Sequence, residues 1–160
     1  MLENYTSELK KEMKILVIDD VVYMRAIIVD MLSRLGITNI TEAVDGEQAH
    51  ELIKKNTYSM VLCDWHMPKL NGISLLRMIR FSYDTKTLPF IMITSNQKLD
   101  DVKECIASGV SGFLLKPFEL DSLEKQLGDL HDDVVLHHHT SGALNGDIVN
   151  ALEAQTQSES

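Results

Sequence analysis

"KILVIDDVVYMRAIIVDMLSRLG", residues 14–36, joins a strand pattern directly to a helix pattern. Residues 14–18 form the short apolar run that is typical of a buried strand. After two aspartates, apolar side chains recur at helical spacing until Gly36 supplies a helix stop: Met24, Ile27, Ile28, Met31, Leu32 and Leu35. This stretch therefore predicts one strand followed by one amphipathic helix.

The same alternation recurs along the chain. Further strands are predicted at 38–43, 58–63, 90–94 and 112–115, and further helices at about 46–55, 72–81, 99–108 and from 119 onward. Strands that are apolar on both faces and alternate with helices indicate an α/β protein, with a five-stranded parallel sheet covered by helices on both sides. A ligand site is expected at the carboxyl ends of these strands.

Composition limits the class of protein. A chain of 160 residues with 44% hydrophobic and 24% charged residues is typical of one soluble domain. Its formal net charge of -9 disfavours DNA as a partner, since a phosphate backbone would repel it.

Cys63 and Cys105 lie in apolar segments without metal-ligand spacing, which favours a reducing, cytoplasmic location. With no signal peptide and no apolar run near the roughly 18 residues of a membrane span, membrane insertion is not expected.

Polar and charged residues follow four of the predicted strands: Asp19 and Asp20, then Asp64, Thr94 and Lys116. Each has an ordinary structural explanation, such as a helix cap, an Asx turn or a solvated side chain. Their convergence on one edge of the sheet is harder to explain in that way. Three adjacent carboxylates raise one another's pKa unless a cation is present, and oxygen ligands suit Mg²⁺. The set indicates phosphoryl chemistry, in which a carboxylate is the nucleophile and Lys116 balances the phosphoryl charge.

This constellation, with the phrases "DWHMP" and "GFLLKPF", resembles the receiver domain of bacterial two-component response regulators of the single-domain, chemotaxis (CheY-like) type. The resemblance covers about residues 13–130. It implies a three-layer, flavodoxin-like fold with strand order 2-1-3-4-5. Residues 1–12 would then be an N-terminal extension, and residues 131–160 an acidic C-terminal tail.

The resemblance also implies roles for the acidic residues. Asp64 would accept a phosphoryl group from a histidine kinase or a small phosphodonor. Asp20 and Asp64 would bind Mg²⁺ directly, Asp19 would act through water, and the backbone carbonyl of His66 would complete the protein ligands. The chain would be a signalling switch rather than an enzyme, catalysing only its own phosphotransfer and autodephosphorylation.

The resemblance also implies that residues around this site would contact the phosphoryl group and respond to it. Lys116 would contact its oxygens, and the bond to Pro117 would be cis. Thr94 and Phe113 would form the switch, although Phe113 lacks the hydroxyl of a tyrosine. The residues two positions after Asp64 and Thr94 are His66 and Asn96, which depart from the common pattern and are expected to tune dephosphorylation.

The resemblance implies that the output is protein–protein contact, through the predicted helix 99–108, the strand 112–115 and the helix from 119. A flagellar-motor switch protein is the preferred partner, and a phosphorelay or adaptor receiver that acts on a histidine phosphotransfer protein or another enzyme is the alternative. A pseudo-receiver that is not phosphorylated stays open. A flavodoxin is disfavoured because acids occupy the first loop, and a dehalogenase-type phosphatase because the first strand is not followed by a D-x-D pattern.

The C-terminal tail is predicted from composition and weak periodicity. Residues 129–160 contain six acidic residues and no lysine or arginine. The last helix is expected to continue toward Leu136, and His137–His139 are interpreted as a solvated junction, with metal binding as the alternative. Asp147 is expected to cap a short helix, which would either fold back on the domain or engage a partner.

Overall fold

A computed structural model describes residues 2–95 and 98–141, with side chains through His137. It contains five strands, each lying between two helices, and seven helices, of which the last two are consecutive. The strands are β1 (Ile15–Ile18), β2 (Ile40–Ala43), β3 (Met60–Asp64), β4 (Phe90–Thr94) and β5 (Gly112–Leu115). The helices are α1 (Ser7–Glu12), α2 (Val22–Arg34), α3 (Gly46–Lys55), α4 (Gly72–Phe81), α5 (Leu99–Ala107), α6 (Leu120–Asp129) and α7 (His131–Ser141).

The strands form a single sheet in the order β2-β1-β3-β4-β5, and every pairing is parallel. Alternate strand residues enter different cores, because successive side chains point to opposite faces of a sheet. Val17 and Leu62 pack with α2 and α6, whereas Ile18 and Cys63 pack against α3, α4 and α5. The predicted three-layer fold and strand order are confirmed.

The N-terminal extension packs on the first of these cores. Leu2, Tyr5, Leu9 and Met13 are buried together with residues of α2 and α6. The Tyr5 hydroxyl donates a hydrogen bond of 2.6 Å to the carbonyl of Leu127 in α6. Residues 2–13 therefore contribute to the hydrophobic core of the domain.

The C-terminal region differs from the sequence prediction. The helix from 120 ends at Asp129, and α7 begins at His131 after a break at Leu130. Because α7 continues to Ser141, His137 lies inside a helix, and only 2% of its surface is exposed. The interpretation of His137 as part of a solvated junction is wrong. The side chains of His138 and His139, and the predicted short helix after Asp147, lie outside the described part of the chain.

Burial of the two cysteines agrees with the sequence analysis, since Cys63 and Cys105 are both free and buried. Burial raises the pKa of both thiols. Within residues 2–95 and 98–141, the structure contains no helix with the length and apolar character that a membrane span requires.

Candidate functional site

Three carboxylates meet at the carboxyl edge of the sheet. Asp64 ends β3, and Asp19 and Asp20 follow β1, the neighbouring strand. One carboxylate oxygen from each residue lies within 4.8 Å of the other two. Two unit negative charges at that distance repel by about 3 kcal/mol at an effective dielectric constant of about 20. The group therefore favours a bound cation.

Lys116 supplies one positive charge to this cluster. It follows β5, and its Nζ lies 3.1 Å from Oδ1 of Asp64 and 3.2 Å from Oδ2 of Asp19. Burial opposes the charged form of Lys116, but its contacts with Asp64 and Asp19 prevail and raise its pKa. The ammonium group thus stays charged beside the two buried acids.

The carboxyl group of Asp64 has a raised pKa. Burial raises its pKa, and the charges of Asp19 and Asp20 raise it further, while the hydrogen bond from Lys116 lowers it in part. One ammonium group does not neutralise three carboxylates. The remaining negative charge, carried entirely by oxygen donors, suits a hard divalent ion such as Mg²⁺.

Backbone contacts hold Asp19 in place. Its Oδ1 accepts a hydrogen bond of 2.9 Å from the backbone N–H of Val21, so the carboxylate closes the turn before α2. Its backbone carbonyl accepts a 2.7 Å hydrogen bond from Nη1 of Arg25, and Arg25 Nε contacts Glu42 at 3.1 Å. These partners were not anticipated from the sequence, which shows Arg25 only as a charged residue within an apolar helix stripe.

The switch candidates lie on the adjacent strands. Thr94 ends β4 and is fully buried, and its carbonyl accepts a 2.9 Å hydrogen bond from the backbone N–H of Lys116. Phe113, on β5, is partly buried and packs against the core that contains Cys63. The Lys116–Pro117 peptide bond is cis. Asn96 lies outside the described residues.

His66 is exposed at the rim of the site. Its ring stacks on Trp65, with ring centroids 6.2 Å apart and planes 22° apart. The imidazole is not part of the described cluster formed by Asp19, Asp20 and Asp64, and no acid–base role for it follows from the geometry.

A second unanticipated contact supports the loop that carries His66. Lys69 has a positive φ of 68°, and its Nζ lies 3.6 Å from Oδ2 of Asp45, the residue that caps α3. A Cβ built on Gly46 would overlap the carbonyl oxygen of Leu70, so the loop packs directly on the first turn of α3. Because the loop follows Asp64 directly, this contact positions the chain next to the acidic cluster.

Comparison with known proteins agrees with this geometry. The model of the response regulator receiver domain family matches residues 15–128. The chain is 40% identical to chemotaxis protein CheY-3 of Vibrio cholerae over 124 residues, which cover 78% of this chain and 95% of that protein.

Two solved structures are also similar. Chemotaxis protein CheY4 of Vibrio cholerae has a TM-score of 0.67 and 28% identity, covering 72% of this chain and 95% of its own. The receiver domain of a sensor histidine kinase from Pseudomonas aeruginosa, described with a magnesium ion in its active-site cleft, has a TM-score of 0.66 and 31% identity, covering 72% and 93% of the two chains. By its sequence, its fold and its acidic cluster, the chain belongs to the response regulator receiver domain family, whose members are signalling switches rather than classical enzymes.

Proposed function

We propose that this protein is a single-domain response regulator that is activated when Asp64 receives a phosphoryl group from a histidine kinase. The observation that carries the proposal is the contact of Lys116 with both Asp64 and Asp19 inside a cluster of three carboxylates. The related receiver domain with bound magnesium supports Mg²⁺ as the cofactor.

The proposed phosphotransfer uses the chain's own residues. A carboxylate oxygen of Asp64 attacks phosphorus, the P–N bond of a kinase phosphohistidine breaks with its electron pair passing to nitrogen, and the leaving imidazole takes up a proton from solvent. Lys116 stays close to the acceptor and balances charge on the phosphoryl oxygens, and the Thr94 hydroxyl donates a hydrogen bond to the product. Asp20, Asp64 and the His66 carbonyl would hold Mg²⁺ directly and Asp19 through water, and the ion would supply the positive charge that phosphoryl transfer requires.

Thr94 and Phe113 would transmit the change to an output face formed by α5, β5 and α6. Apolar side chains on this face support a contact role, since Leu99 is 66% exposed, Ile106 61% and Leu115 44%. A flagellar-motor switch protein is the preferred partner, because a chemotaxis protein is among the relatives. A histidine phosphotransfer protein or another enzyme is the alternative. The two free cysteines support a cytoplasmic location.

Phosphorylation is tested by incubating the protein with radiolabelled acetyl phosphate in the presence and absence of Mg²⁺. We expect label on the unmodified chain only with Mg²⁺, no label on Asp64→Asn, and full label on Asp84→Asn, a control at an exposed aspartate outside the cluster. Absence of label on the unmodified chain, or equal label on Asp64→Asn, would favour a pseudo-receiver.

The side chain of His66 is expected to affect how long the phosphoryl group remains on Asp64. Because His66 lies at the exposed rim, His66→Asn is expected to change the autodephosphorylation rate while leaving phosphorylation intact. The measurement is the decay of label after removal of the phosphodonor. Equal decay rates for the unmodified protein and His66→Asn would show that the His66 side chain does not affect autodephosphorylation.

The output partner is tested by affinity capture with and without beryllofluoride, which mimics the phosphoryl group on Asp64. Retention of a motor component only with the mimic would support the chemotaxis role. Retention of a phosphotransfer protein instead would support the alternative.

A further inference from the structure

A cavity of about 520 Å³ lies at the amino ends of β3 and β4, at the opposite edge of the sheet from Asp64. Its walls are formed by the last turn of α3, the loops that precede β3 and β4, and α7. Tyr58 and Leu88 are almost fully buried and form an apolar floor, with exposures of 4% and 1%. The cavity therefore has an apolar floor and a polar rim.

The rim is basic, although the protein as a whole is acidic. Lys54, Lys55 and Lys86 line the cavity, and Asp84 is the one acidic residue among its described lining. Lys54 also contacts Glu51 at 2.6 Å, and the Nζ of Lys86 lies 4.5 Å from the ring centroid of Tyr83. In a chain with a net charge of -9, this concentration of lysines favours an anionic occupant.

Helix α7 leads the chain to this cavity. Val134 is fully buried in the core formed with α2 and α6, whereas His137, three residues later, lines the cavity and shares a 2.8 Å hydrogen bond with Thr87. The helix thus crosses from the first core to the cavity side of the domain. Its last residue, Ser141, is four positions after His137, a rise of about 6 Å along the helix axis.

The sequence that follows has the complementary composition. Residues 142–160 contain Asp147, Glu153 and Glu159 and no lysine or arginine. Ile148 and Leu152 are four residues apart, the spacing that brings two side chains to one face of a helix. A segment of 19 residues reaches up to about 60 Å when extended, which is ample for a site beside the helix that precedes it.

We propose that the cavity is the docking site of the chain's own C-terminal segment, residues 142–160. Its carboxylates would meet Lys55 and Lys86, since Lys54 already pairs with Glu51, and its apolar side chains would cover Tyr58 and Leu88. The cavity and the acidic cluster lie at opposite edges of the sheet, so the segment would dock without occupying the proposed phosphorylation site.

Paramagnetic relaxation in the full chain tests the proposal. A nitroxide is attached to Ala151→Cys, and the native Cys63 and Cys105 are protected by burial. We expect the amide signals of Thr57, Tyr58 and Thr87 to lose most of their intensity. The double variant Lys55→Glu/Lys86→Glu should restore these signals, whereas Lys125→Glu, an exposed lysine on α6, should not.

Two further measurements complete the test. Raising the ionic strength to about 1 M should also restore the signals in the labelled protein without charge reversal, because screening weakens exposed ion pairs. Unchanged signals around the cavity, or equal broadening over the whole surface, would overturn the proposal. Inorganic phosphate could instead change the chemical shifts of the same amides while the nitroxide leaves their intensities unchanged. That result would overturn the proposal and indicate a small-anion site.

Discussion

Burial of His137 predicts a loss of stability in mild acid. Burial lowers the pKa of His137 from 6.5 to about 4, a hydrogen bond to the Tyr58 backbone works in the opposite direction, and the charge of Arg80 lowers the pKa further. Between those two pH values the unfolded chain carries a proton on this ring and the folded chain does not. The free energy of unfolding therefore falls as the pH drops from 6.5 toward 4.

The size of the effect follows from the pKa change. Each pKa unit corresponds to about 1.4 kcal/mol, so the complete loss is about 3 kcal/mol. About 2 kcal/mol of this is expected between pH 7 and pH 5, because at pH 5 the unfolded ring is almost fully protonated and the folded ring is mostly neutral.

Urea unfolding at pH 7 and pH 5, with a chelator present, measures this difference. His137→Asn keeps a hydrogen-bonding group near Thr87 but removes the titration. We expect the unmodified protein to lose about 2 kcal/mol more than this variant between the two pH values. His66→Asn, at an exposed position, should behave like the unmodified protein. An equal loss in the His137→Asn variant would refute the assignment of the effect to a buried neutral imidazole.

Two further predictions concern packing and are measured by chemical unfolding. Gly46→Ala should destabilise the protein by about 2–3 kcal/mol, because the new Cβ would lie 2.8 Å from the Cβ of Leu70 and overlap its backbone carbonyl. Gly128→Ala should instead stabilise α6 by up to about 1 kcal/mol, because its built Cβ has no atom within 4 Å outside its own chain neighbours and the adjacent helix backbone. A similar loss of stability in both variants would contradict the packing argument. Tyr5→Phe should cost about 1 kcal/mol by removing the hydrogen bond to Leu127, whereas no change would mean that the N-terminal segment contributes no stability through that bond.

The fold and the acidic cluster could be predicted from the sequence because both depend on local pattern. Apolar runs and helical periodicity identify the strands and helices, and parallel strands bring their carboxyl ends to one edge. Asp19 and Asp64 could therefore be assigned to one site before their distance was known. The order of the strands came from the family resemblance, since periodicity does not determine which strands are neighbours.

Features that depend on tertiary contact were harder to predict. The binding of Arg25 to the Asp19 carbonyl joins one helix to the end of a neighbouring strand, and composition carries no sign of that geometry. The N-terminal segment did contain a signal, since Tyr5, Leu9 and Met13 recur at helical spacing. However, α1 has only six residues, too few for periodicity alone to identify a helix packed on the core. The burial of His137 was not predicted because a run of histidines is polar in composition. The environment of the His137 ring depends on Thr87, which is 50 residues away in the sequence.

Helix α6 packs against both the N-terminal segment and the C-terminal helix α7. Its inward residues Leu123 and Leu127 are fully buried in the core that also holds α1 and α7, while the helix borders the proposed output face. Rotation of α6 would disturb the Tyr5 hydrogen bond and the packing of Val134 together. By contrast, α5 has one fully buried residue, Cys105, and exposes Leu99 and Ile106. Because fewer buried contacts hold α5 in place than α6, we expect a change at Thr94 to displace α5 more readily than α6 within the proposed output face.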